Sequence, residues 1–382
     1  MRQLVLVGAG HAHAQVLLEL SRRTLDDVKV ILVAPHALAP YSGMVPGWLA
    51  GHYSWDECCI DFMHLCRCAG ADMVLDAVAG IDTAQSRVML AGGRQLNYKW
   101  LSLNLGSTLL PPESTKLRIL PMRPLAELQR HWDDLLEAVR CLPHGAGFRV
   151  LMVGGGAAGV ESLLAARHRM ASAAPHVRFD FLLATQGKEL VPGQSRTAAR
   201  LLRAHLEKHR ITIFTSFSAD KLENGSITST EGQVIDADTV LWATGAQAHP
   251  WVTTSGLAVD TQGFIRIGPT LQTISNPDVF AAGDCAGWEK PLPKAGVFAV
   301  RMGPVLARNI IARINGSRLE SFSPQRRYLT LIGTGERHAV ASWNGIGWQG
   351  NWVWRWKEHI DRRFIARYNT LVRKHGLVRL NE

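Results

Sequence analysis

At 382 residues, 47% of them hydrophobic and 19% charged, the chain is too apolar for a disordered polymer and too long for one ordinary core, so two or three domains are expected. Lysines and arginines exceed acids by 42 to 32; the formal charge of +10 either serves solubility or favours anionic partners such as nucleotides and acidic lipid headgroups. No nucleic-acid-binding motif accompanies that charge, so no nucleic acid is expected as a partner, and no apolar run is long enough to cross a bilayer. Six cysteines in a chain of this size, with an apolar start that runs straight into a glycine turn, predict a cytoplasmic protein with reduced thiols.

Residues 4–7 predict a buried strand that closes on Gly8-Ala9-Gly10, the tight turn of a dinucleotide fingerprint. His13 stands where the third glycine belongs, which predicts altered packing of the helix read over 15–22. The next strand, 28–33, ends in Ala34-Pro35-His36 and not in the acid that would hold a ribose, so backbone groups around Pro35 and His36 are expected to hold the adenosine end. Residues 39–51 are turn-rich and anchored by Tyr41, Met44 and Trp48. Cys58, Cys59, Cys66 and Cys68 gather in a predicted helix without zinc spacing; they read as small core residues, and no metal is expected. Segments 77–88 and 95–105 predict strands of a small sheet, the second ending in a Gly106-Ser107 turn where backbone can approach a ligand.

A proline-rich crossover at 111–124 and an amphipathic helix at 125–142 precede the strand 149–153, which enters Gly154-Gly155-Gly156 with Gly159 three residues on. Gly154 permits the turn, Gly156 lets the chain approach a pyrophosphate, and Gly159 lets the helix pack on its strand. Ala157 opens that helix, whose N-terminus faces phosphates. The strand at 179–183 again lacks a terminal acid; Thr185 stands near its place, and Lys188 leans toward NADPH over NADH. A helix over 200–210 follows, and the strand closing on Thr244-Gly245 returns the chain to its first unit. Strands are expected at 264–267 and 270–274, and then an apolar run ends in Gly283-Asp284, placing a carboxylate where a ribityl hydroxyl could bind.

After a linker at 316–324, paired strands are expected at 329–332 and 338–343. From Trp352 an aromatic stripe recurs at helical spacing through Trp356, Ile360, Phe364, Tyr368 and Leu371, with Arg355, Lys357, Arg362, Arg363, Arg367, Arg373 and Lys374 elsewhere. Such a helix suits peripheral membrane contact; it suits better packing on its own body or on the partner subunit of a homodimer.

Gly8/Gly10, Gly154/Gly156/Gly159 with Glu161, Ala243-Thr244-Gly245 and Ala282-Gly283-Asp284 together resemble the two-dinucleotide-binding-domain flavoproteins of the pyridine nucleotide-disulfide oxidoreductase superfamily. Within it the pattern is most similar to type II NADH dehydrogenase-like proteins. Residues 40–53, 293–309 and 352–368 resemble the flavoprotein module found fused to selenide, water dikinase. The resemblance implies an α/β fold: two Rossmann-like three-layer domains plus a small C-terminal α+β domain. It divides the chain into an FAD-binding domain at 1–122 and 246–318, an NAD(P)H-binding domain at 123–245, and a C-terminal domain at 319–382.

FAD is then expected on Gly8, Gly10, His11, Ala12, Pro35, His36, the loop Tyr41-Ser42-Gly43-Met44, Gly106, Ser107, Gly283 and Asp284. NAD(P)H is expected on Gly154, Gly156, Ala157, Gly159, Thr185, Thr244 and Gly245. The same resemblance implies two catalytic groups: Glu161 near the nicotinamide–flavin contact, and Lys294, which with Ala295, Gly296 and Val297 approaches the flavin from a helix start. Hydride would pass from NAD(P)H to FAD, and then electrons to an acceptor, a quinone or a small sulfur or selenium compound. A Cys-x4-Cys redox pair is missing, and the glutamines of the related quinone site are replaced by Gly296 and Arg301. A flavin-binding regulatory protein and a membrane-peripheral NAD(P)H:quinone reductase are the alternative readings.

Overall fold

The computed structural model describes residues 1–23, 25–112, 117–223, 225–325 and 327–379, and their side chains up to 370 apart from that of Ala126. Two parallel sheets of five strands share one plan. The first runs Val279–Ala281, Trp100–Leu103, Arg2–Val7, Val28–Ala34, Asp72–Leu75. The second runs Arg118–Pro121, Thr239–Trp242, Gly147–Val153, Arg178–Ala184, Thr212–Phe214. In each, a fingerprint strand sits centrally, bonded on both sides, and this explains why its last four residues are all apolar: Leu4 to Val7 and Val150 to Val153 are buried.

The helices are α1 (His11–Leu20), α2 (Val45–Leu49), α3 (Phe62–Ala69), α4 (Leu125–Arg140), α5 (Ala157–Ala173), α6 (Arg196–Lys208), α7 (Gly296–Ile314) and α8 (Asn351–Arg379). The chain leaves the first sheet after Trp100–Leu103, builds the second, and returns at Val279–Ala281. The expected crossover at 111–124 lies partly outside the described residues; its end, Arg118–Pro121, is an edge strand of the second sheet.

Several expectations change. Helix α1 starts at His11, four residues before the predicted start. Segment 77–88 is a hairpin, Val78–Asp82 with Arg87–Leu90, and from 95–105 only Gln95–Asn97 joins it; Trp100–Leu103 enters the main sheet. Residues 270–274 make only isolated bridges, because Leu271 sits at φ +65 and breaks extended geometry. Only Cys66 and Cys68 of the cysteine cluster are helical; Cys58 ends a 3-10 turn and Cys59 opens a strand.

The C-terminal segment is an antiparallel sheet of three strands, Thr330–Gly333, Ala339–Trp343 and Ile346–Gly350, followed by α8. The third strand adds to the expected pair, and Asn344-Gly345 at φ +48 and +84 is the two-residue turn that demands it. Helix α8 lies across the first unit. Its buried face is Val353, Trp354, Asp361, Ile365 and Tyr368, not the expected stripe. A four-residue step advances about 40° around a helix, so a stripe built on it winds from outside to inside over four steps. Trp352, Trp356 and Ile360 therefore stay 57%, 38% and 39% exposed, while Tyr368 is buried. The side chains of Leu371, Arg373 and Lys374 lie outside the described residues.

Candidate active site

The first cradle is knit by two polar residues inside an apolar sheet. Gly8 turns at φ +96, where a Cβ would stand 2.4 Å from the Asn104 carbonyl oxygen. Asn104 follows the apolar strand Trp100–Leu103, and its Oδ1 accepts from Ala12 N–H at 3.0 Å and His13 N–H at 3.3 Å. Its Nδ2 donates to Ala282 O at 2.7 Å, so one side chain ties the fingerprint helix to the Gly283-Asp284 turn. The Ala12 N–H is thereby taken up inside the protein.

His13 fills the place of the absent glycine. Its Nδ1 lies 2.6 Å from Gly8 O and its Nε2 2.8 Å from Ser102 Oγ. A carbonyl only accepts, so Nδ1 carries the proton and the Ser102 hydroxyl donates to Nε2. Burial pushes the His13 pKa down to about 4, which keeps the ring neutral.

Asp284 stands at the carboxyl end of Val279–Ala281, as expected, and accepts from Arg123 Nη1 at 2.6 Å; Arg123 also donates to Ser107. Arg123 comes from the chain crossing between the sheets and was not singled out in sequence. Beside Asp284, Cys285 is buried, donates to Leu103 O and Ala282 O, and has its thiol pushed up to about 11, chiefly by burial. None of the six cysteines forms a disulfide. Gly106 turns at φ +71 in open space. Pro35 and His36 are exposed just past Val28–Ala34.

The second cradle has tighter glycine logic. A Cβ on Gly154, at φ +131, would be 2.2 Å from Ala243 O, and one on Gly159 would be 2.0 Å from Gly154 O. Both contacts are with backbone and neither can yield. Gly156, the N-cap of α5, faces no protein atom within 4 Å. A backbone wall behind and open space before a helix N-terminus fit a dinucleotide pyrophosphate. Thr185 packs beneath, its Oγ1 2.5 Å from where a Gly155 Cβ would stand. Thr244 and Gly245 follow Thr239–Trp242, and the Ala243 N–H donates to Val153 O.

The two units meet at Glu161, one turn into α5 and nearly buried, its side chain 12% exposed. Its Oε1 accepts the Gly333 N–H at 2.7 Å and lies 3.9 Å from Lys357 Nζ of α8. Lys357 donates to Gly43 O and to Asp361 Oδ2, the latter at 2.7 Å. Burial raises the Glu161 pKa to about 7 against the opposing pull of Lys357 and Gly333. Burial alone would lower Lys357, but Asp361 and Glu161 outweigh it and hold the ammonium above its ordinary value. The phenol of Tyr41 is raised by burial first and by the neighbouring Asp361 second. A small cleft opens onto this group; Pro46, His52 and Tyr53 of one unit, Ala165 of the other, and Gly335 and Trp354 of the C-terminal segment line it.

Lys294 is less free than expected. Its Nζ donates to Ala286 O at 2.8 Å and sits 3.5 Å from the Phe264 ring centroid. Burial is the main cause of its lowered pKa. Ala295 caps α7, Gly296 and Val297 open it, and a Cβ on Gly296 would meet Ser42 Oγ at 3.0 Å, so this helix start and the Tyr41–Met44 loop do converge. Sequence reading missed Asn104, Arg123 and the Lys357–Asp361 pair. The asparagine closing an apolar strand was a usable signal; a Lys–Asp pair on a basic helix reads as a solvated face until the helix is docked.

A model of the pyridine nucleotide-disulphide oxidoreductase family matches residues 2–303. An NADH dehydrogenase-like protein of Mycobacterium tuberculosis is 25% identical over 301 residues, 75% of this chain and 73% of that one. Two solved structures share the fold. Sulfide:quinone oxidoreductase from Aquifex aeolicus has a TM-score of 0.78 at 15% identity, covering 97% of this chain and 92% of that one. NDH2 from Plasmodium falciparum in complex with NADH has a TM-score of 0.76 at 12% identity, covering 96% and 97%.

Proposed function

Because the chain belongs to the pyridine nucleotide-disulphide oxidoreductase family, we propose that it oxidises NAD(P)H and reduces a small second acceptor through bound FAD. It is an FAD-dependent oxidoreductase with NAD(P)H as co-substrate. FAD supplies the redox chemistry, taking a hydride equivalent from the nucleotide and passing on an electron pair. The protein sets position, charge and protons.

We assign FAD to the cradle of Gly8, Gly10 and Asp284, hence to residues 1–122 and 246–318. NAD(P)H belongs to the cradle of Gly154, Gly156 and Gly159 within 123–245, and residues 319–382 form the cap over both. Arg123 offsets the carboxylate of Asp284 and binds the crossover to the flavin side. Absence of an acid beside Thr185, with Lys188 following, favours NADPH.

The observation that carries this reading is the nearly buried Glu161 between the two cradles, facing a cleft. Two-electron reduction of an acceptor by NAD(P)H consumes one proton from solvent. A carboxyl with a pKa of about 7 holds or releases that proton at working pH. Lys357 keeps it in place and is itself held by Asp361 and Gly43.

For the acceptor we favour a small sulfur or selenium compound over a quinone, on the resemblance to the selenium-linked module and on Gly296 and Arg301 where the quinone site would place glutamines. Air-free turnover of NADPH and NADH with polysulfide, selenite and a short-chain quinone tests this. Turnover with a chalcogen species supports it, and turnover with quinone alone contradicts that choice. No turnover with any of them leaves the regulatory alternative standing.

We further place the protein in the cytoplasm, touching the membrane face. No described helix is long and apolar enough to cross a membrane. Trp343, Ile346, Trp352, Trp356 and Ile360 are exposed large apolar side chains, and Arg355 and Arg363 are exposed on the same helix as the last three. That combination suits insertion at an anionic lipid surface. Binding to anionic vesicles supports this contact; no vesicle binding together with a concentration-dependent dimer assigns the surface to a second subunit.

A further inference from the structure

We propose that the imidazole of His11 donates a hydrogen bond directly to bound FAD, supplementing a helix start at which the Ala12 and His13 amides are already taken. This rests on the assignment of FAD to the first cradle. The backbone observation is specific. Helix α1 starts at His11, and of its first-turn N–H groups those of Ala12 and His13 are both consumed by Asn104 Oδ1. A helix start normally presents such groups to a phosphate. Here Asn104 Oδ1 closes two of them internally.

The side-chain observation is independent of this. Nε2 of His11 is sealed from solvent and has no hydrogen-bond partner among the described residues. A buried polar atom without a partner costs about 1–3 kcal/mol, so native proteins seldom keep one without a use. The ring is held firmly in place. Tyr41 meets it edge-on at 5.3 Å, and Phe364 of α8 lies 5.8 Å away. Tyr41 and Phe364 stack on one another at 4.3 Å. Asp284 is the carboxylate near enough to act on the ring electrostatically. His11 therefore stands among segments from the Tyr41 loop, the Asp284 turn and α8, with an unspent nitrogen that FAD reaches as it displaces the side chains closing over it.

Burial keeps the ring neutral, its pKa pushed down to about 4. A neutral imidazole carries one N–H, and placing that proton on Nε2 provides a donor for an acceptor oxygen. FAD offers two kinds, on its diphosphate and on the flavin ring.

Two substitutions separate the hydrogen bond from packing. His11→Phe keeps an aromatic ring against Tyr41 and Phe364 but removes the N–H; His11→Gln restores an N–H without the ring. FAD dissociation from each holoprotein is followed by the fluorescence of released flavin. The dissociation constant is expected to rise about tenfold or more in His11→Phe and to recover substantially in His11→Gln. The absorption band of the bound flavin distinguishes the partner oxygens. A band displaced between wild type and His11→Phe locates the contact on the flavin ring; an unmoved band with weakened binding locates it on the diphosphate. His11→Phe binding FAD as tightly as wild type overturns the inference and leaves the FAD assignment intact. A wild-type protein that takes up no FAD overturns both.

Discussion

Replacing Glu161 by Gln tests the buried carboxyl most sharply, because its signature lies in the pH dependence and not in a single number. Free in the unfolded chain, this carboxyl has its ordinary value of 4.5; folded, it is raised to about 7, chiefly by burial. A raised pKa means that the folded state holds the proton more tightly. The stability it contributes is present below pH 4.5 and is lost as pH rises through 7. A difference of about 2.5 pH units corresponds to about 3 kcal/mol at 1.36 kcal/mol per unit. A glutamine at this position has no such window, yet keeps an oxygen for the Gly333 N–H. Unfolding free energies of wild type and Glu161→Gln, measured from pH 5 to 8, are therefore expected to diverge, the variant gaining on wild type by about 2.5 kcal/mol across that range. The variant is also expected to lose any limb near pH 7 in the rate of acceptor reduction. Parallel stability curves would refute the assignment of a raised carboxyl pKa at this position.

Gly156→Val is expected to abolish reduction by NAD(P)H while FAD stays bound; a Cβ there meets no protein atom, so the fold should survive and only the ligand be blocked, as a nucleotide titration of the purified holoprotein would read. Lys357→Met leaves Asp361 and Glu161 buried without their cation and should cost about 3–5 kcal/mol in chemical unfolding. Asn104→Ala strips partners from two helix amides and from Ala282 O, so about 3 kcal/mol or more of stability and most bound flavin should be lost, measured by melting and by flavin content.

The two fingerprints, their strands and the Gly283-Asp284 turn were legible because each is local: an apolar run, a glycine with a backbone wall behind it, a helix start. Residues 4–7 and 149–153 announce buried parallel strands by composition alone. What joins the units was not legible. Glu161 could be marked by its place after Gly159, but its partner Lys357 comes from a helix nearly two hundred residues on, and its spacing from Asp361 is equally that of a solvated pair. The α8 stripe was legible as a helix but not as a buried face, since four-residue steps do not hold one face. The strand Ile346–Gly350 was within reach, because Asn-Gly between apolar residues is a strong hairpin signal. His13 and Asn104 show the opposite case: a histidine in the third glycine's place predicts altered helix packing, and only the fold reveals that His13 and Asn104 tie that helix start down with bonds of their own.

One polypeptide holding FAD in the cradle of Gly8 and Asp284, and receiving electrons from a nucleotide in the cradle of Gly154, is the claim on which the rest depends. Anaerobic titration of the FAD-loaded protein with NADPH and then NADH reads it directly. Stoichiometric loss of the yellow flavin band, faster with NADPH, is the predicted result; a band that persists with both nucleotides would contradict it.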